Sequence, residues 1–258
     1  MPETLLRPFL ENPSRAGVFL DFDGTLSEIV RIPSEARPVE GAVDLLADLA
    51  RRYAVVAIVS GRAAPQLMDW LGPEVEIWGV HGAERALKGH VELSELAAPY
   101  RSLMQKVHEE AAQRVARLRL EGAIVEDKGV MVTLHYRAAD DLERARAAME
   151  SLASDLAARY DLTRVAGRAS FELRPPMEFS KAAVVRERGK GLDAVAFFGD
   201  DVVDLPGFDA LDELAAAGAA ALRVAVRSDE APPELIERAD VVVEGPLGAL
   251  EVLRRLAD

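Results

Sequence analysis

The chain has 258 residues, half of them apolar and 29% charged, enough for one large domain or two smaller ones around a real core. Its 31 basic and 44 acidic residues leave a net charge of −13, which argues against nucleic acid or an anionic membrane as the main partner but leaves room for a local basic pocket and an anionic small-molecule substrate. There is no cysteine, which excludes disulfides, thiolate metal sites and a cysteine nucleophile.

The N-terminal stretch MPETLLRPFLENPSRAG has an apolar cluster broken by Arg7 and Pro8, and it lacks the apolar core of a secretory signal. No apolar run approaches the length of a membrane span. A soluble cytoplasmic protein is expected, with a monomer the favoured state. Val18 to Phe22 reads as a buried strand, and Val39, Val43, Leu46 and Leu49 share one face at helical spacing just after Pro38. Ala54 to Val59 reads as a second buried strand, 63–71 as a short helix and Val75 to Val80 as a third strand. This alternation predicts a parallel sheet covered by helices.

The middle of the chain differs. A helix over 98–119 is followed by strand-like runs at 122–128 and 130–137, and a helix over 140–159 by runs at 162–167 and 169–174. The turns Lys128-Gly129 and Gly167-Arg168 between these runs predict antiparallel hairpins. The parallel pattern then resumes, with helices at 181–188, 207–217, 233–238 and 247–256 and strands at 194–198, 222–226 and 241–243. The expected fold class is α/β: a Rossmann-like parallel-sheet core from 1–97 and 177–258, with an α+β module inserted over 98–176.

Ligands of open parallel sheets bind at the carboxyl ends of the strands, and four motifs fall there. Asp21-Phe22-Asp23-Gly24-Thr25 follows the first strand. It reads either as an Asp-Gly turn or as a nucleophile, Asp21, beside an acid/base, Asp23, for attack on phosphorus. A calcium loop is excluded, because Leu26 and Ile32 stand where such a loop needs Gly and Glu. Ser60-Gly61-Arg62 follows the second strand, where Ser60 reads as a helix cap and, compatibly, as part of a phosphate site. Lys181 opens a helix and reads either as a solvated surface charge or, if a phosphate lies nearby, as the cation that it needs. Gly199-Asp200-Asp201, with Asp204, follows an apolar strand and reads either as a capped helix start or as acids massed for a cation. With Asp21 and Asp23 these acids supply the oxygen ligands that magnesium prefers.

Taken together, DxDGT, a Ser after the second strand, a helix-opening Lys and GDD after a later strand resemble the haloacid dehalogenase superfamily of phosphatases. The resemblance implies Asp21 as nucleophile, Asp23 as general acid/base, and Ser60 and Lys181 on the phosphoryl oxygens. It also implies Mg2+ held by Asp21, the Asp23 carbonyl and Asp200, with Asp201 and Asp204 close by.

In the middle segment Glu126 and Lys128, His135 and Arg137, and Glu172 and Arg174 are each two residues apart, so each pair shares one face of its strand. Val132, Leu134, Tyr136, Phe171 and Leu173 then share the other face. The polar face reads either as a plain solvated surface or as a polyol site offering donors and acceptors together. With GVHGAE at 79–84 and Glu172-Leu173-Arg174-Pro175, this segment is similar to that of trehalose-6-phosphate phosphatases. That likeness implies that Arg62 and the six paired residues bind substrate or position the module, and that His81 and Glu84 lie at the seam of the two parts. The expected reaction is hydrolysis of trehalose 6-phosphate. Hydrolysis of a sucrose-type or glyceryl-glycoside phosphate, or non-catalytic phosphosugar binding, stands as the alternative. Two departures from the family pattern bear on metal affinity and rate. Val203, Leu205 and Pro206 replace polar residues after GDD, and Ala182 follows Lys181 where Gly is usual.

Overall fold

A computed structural model describes residues 2–30, 32–167, 169–176, 179–228 and 231–258. Arg168, half of the expected second hairpin turn, and Met177, at the expected boundary, lie outside the described residues. In chain order the elements are α1 (Glu3–Glu11), β1 (Ala16–Leu20), α2 (Ala42–Arg52), β2 (Val55–Val59), α3 (Ala64–Leu71), β3 (Glu76–Gly79), β4 (Glu84–Leu87) and β5 (His90–Leu93). Next come α4 (Arg101–Leu118), β6 (Ile124–Asp127), β7 (Val132–His135), α5 (Leu142–Tyr160), β8 (Thr163–Gly167) and β9 (Ser170–Arg174). The chain ends with α6 (Lys181–Gly189), β10 (Ala194–Gly199), α7 (Leu205–Ala216), β11 (Ala220–Arg227), α8 (Pro233–Arg238), β12 (Val241–Glu244) and α9 (Gly245–Ala257).

The chain divides into two compact units, Met1–Val30 with Ser34–Glu92 and Phe179–Asp258, and Arg31–Pro33 with Leu93–Glu178. An eight-stranded sheet in the order β12-β11-β10-β1-β2-β3-β4-β5 organises the first. From β12 to β3 all pairs are parallel, and β4 joins antiparallel to β3. Both faces of this sheet are covered, which is why its central strands are unbroken apolar runs. Val18 and Leu20 of β1 pack with Leu46, Leu49, Leu67, Leu250 and Leu253 of α2, α3 and α9. Phe19, pointing the other way, packs with Val185, Phe208 and Leu211 of α6 and α7. The second unit is an antiparallel sheet, β6-β7-β9-β8, with α4 and α5. Val132, Leu134, Phe171 and Leu173 form its apolar face and pack on Met104, Val107, Met149, Leu152 and Leu156.

Several boundaries correct the sequence reading. β1 stops at Leu20, so Asp21 and Phe22 belong to the loop after it. Val39 precedes α2, which begins at Ala42 after Gly41 at φ 84°. α1, β4 and β5 were not expected from sequence. Arg137 does not share the strand face of His135, because β7 ends at His135 and Arg137 sits in the turn beyond it. Among the described residues no helix is long and apolar enough to cross a membrane.

Candidate active site

The parallel sheet delivers the carboxyl ends of β1, β2 and β10 side by side. Asp21 N–H donates to Phe198 O at 2.9 Å, so the loop after β1 stays tied to β10 for one more residue. Gly24, at φ 81°, turns the chain, and a Cβ there would lie 2.1 Å from Asp200 Oδ2. Only glycine lets the two loops approach this closely. After β10, Asp204 folds back, and its Oδ2 accepts the N–H groups of Asp200 at 3.0 Å and Asp201 at 3.1 Å.

Lys181, the first residue of α6, extends its ammonium between two carboxylates, 2.7 Å from Asp21 Oδ1 and 2.6 Å from Asp204 Oδ1. Ser180 caps that helix by accepting from Ala183 N–H at 3.2 Å, which sets the direction of Lys181. Asp21, Asp200, Asp204 and Lys181 are all buried. Burial pushes the Asp21 carboxyl up to about 7, against the pull of Lys181. Burial also works against the Lys181 ammonium, but Asp204 and Asp21 outweigh it and raise its pKa.

Carboxylate oxygens of Asp21, Asp200 and Asp204 lie within 4.8 Å of one another. Three buried acids thus meet at one lysine in this cluster. The donors are all oxygen, so the set fits a hard divalent cation. The residue drawn into the cluster from the end of its turn is Asp204. Asp201 instead turns its Oδ1 to Val202 N–H at 2.6 Å and forms a capping box with Asp204.

Ser60, buried at the end of β2, accepts from Arg62 N–H at 3.2 Å through its hydroxyl. It does not cap α3 as expected. The N-cap of α3 is Ala63, and the first helical N–H, of Ala64, donates to Glu84 Oε2 at 2.7 Å. Glu84 thus serves the helix end that Ser60 was expected to serve. Val80 and His81 both take left-handed φ values, 49° and 58°. Their N–H groups donate to Arg62 O at 2.8 Å and Ser60 O at 2.9 Å. The His81 ring packs so closely on Gly61 that a Cβ there would lie 2.8 Å from Nε2. The GVHG stretch therefore shapes the Ser60-Gly61-Arg62 turn. Arg62 turns its guanidinium to Asp23, with Nε 2.7 Å from Oδ2 and Nη2 2.7 Å from Oδ1.

In the second unit the register places Glu126, Thr133 and Glu172 in one row across three strands. His135 Nε2 lies 2.8 Å from Glu126 Oε2, and Lys128 Nζ lies 3.6 Å from both Glu126 Oε2 and Glu172 Oε1. Arg174 Nε donates to Glu172 Oε2 at 3.0 Å. Five of the six expected residues thus form one chain of contacts. Arg137 is not joined to it among the described residues.

The profile of the trehalose-phosphatase family matches residues 19–234. A trehalose-phosphate phosphatase of Mycolicibacterium paratuberculosis is 35% identical over 93% of the chain. The alignment spans 62% of that protein, so the chain runs to about three-fifths of the length of such curated relatives. The chain belongs to the trehalose-phosphatase family. The C-terminal domain of C. albicans trehalose-6-phosphate phosphatase superposes with a TM-score of 0.79 at 28% identity, covering 99% of this chain and 96% of that one. A haloacid dehalogenase-like hydrolase from Bacteroides thetaiotaomicron shares the fold, with a TM-score of 0.59 at 15% identity, covering 93% and 99% of the two chains.

Of the departures from the trehalose-phosphatase pattern, Leu205 and Ala182 are buried, while Val203 is exposed. Sequence reasoning did not reach Trp70, whose ring lies 5.1 Å from the Arg62 guanidinium carbon. Its spacing of four from Gln66, on a helix that opens just after Arg62, was the available signal. It also passed over Glu76, which is buried and accepts from Trp78, Arg85 and Arg188. A lone acid in an apolar strand is the sign of such a hub.

Proposed function

We propose that the chain is a magnesium-dependent phosphatase that hydrolyses trehalose 6-phosphate to trehalose and inorganic phosphate in the cytoplasm. The carrying observation is the buried Asp21 carboxylate held against Lys181, beside Asp200 and Asp204, at the carboxyl ends of β1 and β10. In the proposed reaction an Asp21 oxygen attacks phosphorus while the bond to the sugar oxygen breaks. Asp23 gives that oxygen its proton. Asp23 then takes a proton from water as the water attacks phosphorus, which frees phosphate and regenerates Asp21. Lys181 and Ser60 hold the phosphoryl oxygens, whose charge is what a phosphoryl-transfer site must stabilise. Asp21, the Asp23 carbonyl and Asp200 would hold magnesium, with Asp204 close by. When bound, the ion would supply positive charge to the phosphoryl oxygens. The polar face carrying Glu126, Lys128, His135, Glu172 and Arg174 offers the mixed donors and acceptors that sugar hydroxyls need. Arg137 is proposed as a substrate contact outside that network.

The test is phosphate release from a panel of trehalose 6-phosphate, sucrose 6-phosphate, glucose 6-phosphate and a glyceryl-glycoside phosphate, with magnesium and with chelator. kcat/KM highest for trehalose 6-phosphate, and lost with chelator, is the expected result. A flat profile, or no release at all, overturns the reading.

A further inference from the structure

We infer that Arg62 is a positioning residue for the acid Asp23 and not a ligand of the phosphate. The inference rests on the proposed phosphatase reading. Asp23 is 40% exposed at its side chain, whereas Arg62 is 8% exposed. A short, half-exposed carboxylate has no packing of its own to fix its direction. Here it borrows one. The Arg62 fork engages both of its oxygens at 2.7 Å, a geometry that fixes orientation as well as distance.

The guanidinium is itself fixed from several sides. Its central carbon lies 5.1 Å from the Trp70 ring centroid and 5.6 Å from that of Phe22. Those two rings contact each other, with centroids 5.4 Å apart. Nη1 donates to Gln66 Oε1 at 3.3 Å. Gln66 and Trp70 stand one helical turn apart on α3, so one helix face carries both supports. The Arg62 backbone is pinned too, its N–H to Ser60 Oγ and its carbonyl to Val80 N–H. The guanidinium is thus buried, stacked and turned to a carboxylate.

In the first step the Asp21–phosphorus bond forms and the phosphorus–sugar oxygen bond breaks. The electron pair stays on the sugar oxygen, which takes the proton from Asp23. One of the two Arg62 bonds opens to let the carboxyl carry that proton, and the other remains as a tether. The need for this proton depends on the leaving group. A sugar alkoxide cannot leave without it, whereas p-nitrophenolate leaves as a stabilised anion. A positioning role and a phosphate-binding role therefore predict different patterns, because both substrates carry the same phosphate.

The experiment measures kcat/KM, which covers steps through the first bond cleavage, for trehalose 6-phosphate and p-nitrophenyl phosphate. It uses the full chain as wild type, Asp23→Asn, Arg62→Ala, Arg62→Lys and Trp70→Leu, with a thermal melt of each. Arg62→Ala and Arg62→Lys are expected to follow Asp23→Asn, losing on the order of 100-fold with the sugar phosphate and less than about tenfold with the nitrophenyl ester. Lysine keeps the charge but not the fork, so it rescues little. Trp70→Leu, one step removed, is expected to show the same pattern more weakly. Equal losses on both substrates, with or without a lowered melting temperature, overturn the inference and leave the phosphatase reading standing. A wild type that releases phosphate from neither substrate overturns both.

Discussion

Lys181 Nζ lies 2.7 Å from Asp21 Oδ1, and both side chains are buried. If Asp21 is the nucleophile, Asp21→Asn removes the attacking oxygen but keeps the shape and one acceptor for Lys181. Turnover is expected to fall by at least about 1,000-fold, with the circular dichroism spectrum and cooperative melt retained. Phosphate release near wild-type rate would remove Asp21 from that role.

The same residue predicts how stability depends on pH. Burial raises the Asp21 carboxyl to about 7 in the folded chain, so the folded state binds this proton more tightly than the unfolded state. Its favourable contribution is complete below the ordinary carboxylate range and is lost as pH rises through about 7. Metal-free wild type, melted in chelator between pH 5 and pH 8, is expected to lose more of its melting temperature over that interval than Asp21→Asn does. Parallel curves for the two proteins would contradict the assignment.

What sequence could and could not reveal divides along a physical line. Val18-Phe19-Leu20 reads as a buried strand because its residues pack alternately on both covered faces, and period and burial are local signals. The meeting of Asp21, Lys181 and Asp200 was legible too, since each follows or opens an element at the same edge of a parallel sheet. The Asp23–Arg62 pair was not, because it depends on the direction of two side chains 39 positions apart. Asp201 and Asp204 were both expected near the cluster, and their different orientations were not legible for a similar reason. Which acid of GDDVVD faces inward is decided by the tight turn over Val202–Asp204, which a spacing rule does not resolve. α1 was hidden because Pro8 lies inside it, although Leu6 and Phe9 bury at helical spacing.

Gly24 supplies a test of the close approach between the loops after β1 and β10. An added methyl group would meet Asp200 Oδ2 at 2.1 Å and would sit at φ 81°, where side chains are disfavoured. If this cluster holds magnesium as proposed, Gly24→Ala is expected to displace Asp200, to weaken magnesium binding measured by calorimetry, and to lower kcat by about 100-fold or more. Unchanged magnesium affinity would show that the loops can separate without consequence.

Lys128 lies between two carboxylates, 3.6 Å from Glu126 and from Glu172, and is buried. Lys128→Met removes their shared cation but leaves His135 on Glu126 and Arg174 on Glu172, so the second unit is expected to lose about 1 kcal/mol in a urea titration. If this face binds the sugar, KM for trehalose 6-phosphate rises by about tenfold while kcat changes less. A fall in kcat at constant KM would move Lys128 away from substrate binding.

Thr133 stands in the same row, between Glu126 and Glu172. Its hydroxyl is buried and has no hydrogen-bond partner among the described residues. An unpaired buried hydroxyl costs free energy that an isosteric methyl does not, and valine suits a strand at least as well as threonine. Thr133→Val is therefore expected to raise stability by about 1 kcal/mol, read as a higher urea midpoint at unchanged slope. A loss of similar size would mean that the hydroxyl bonds an ordered water within this polar face.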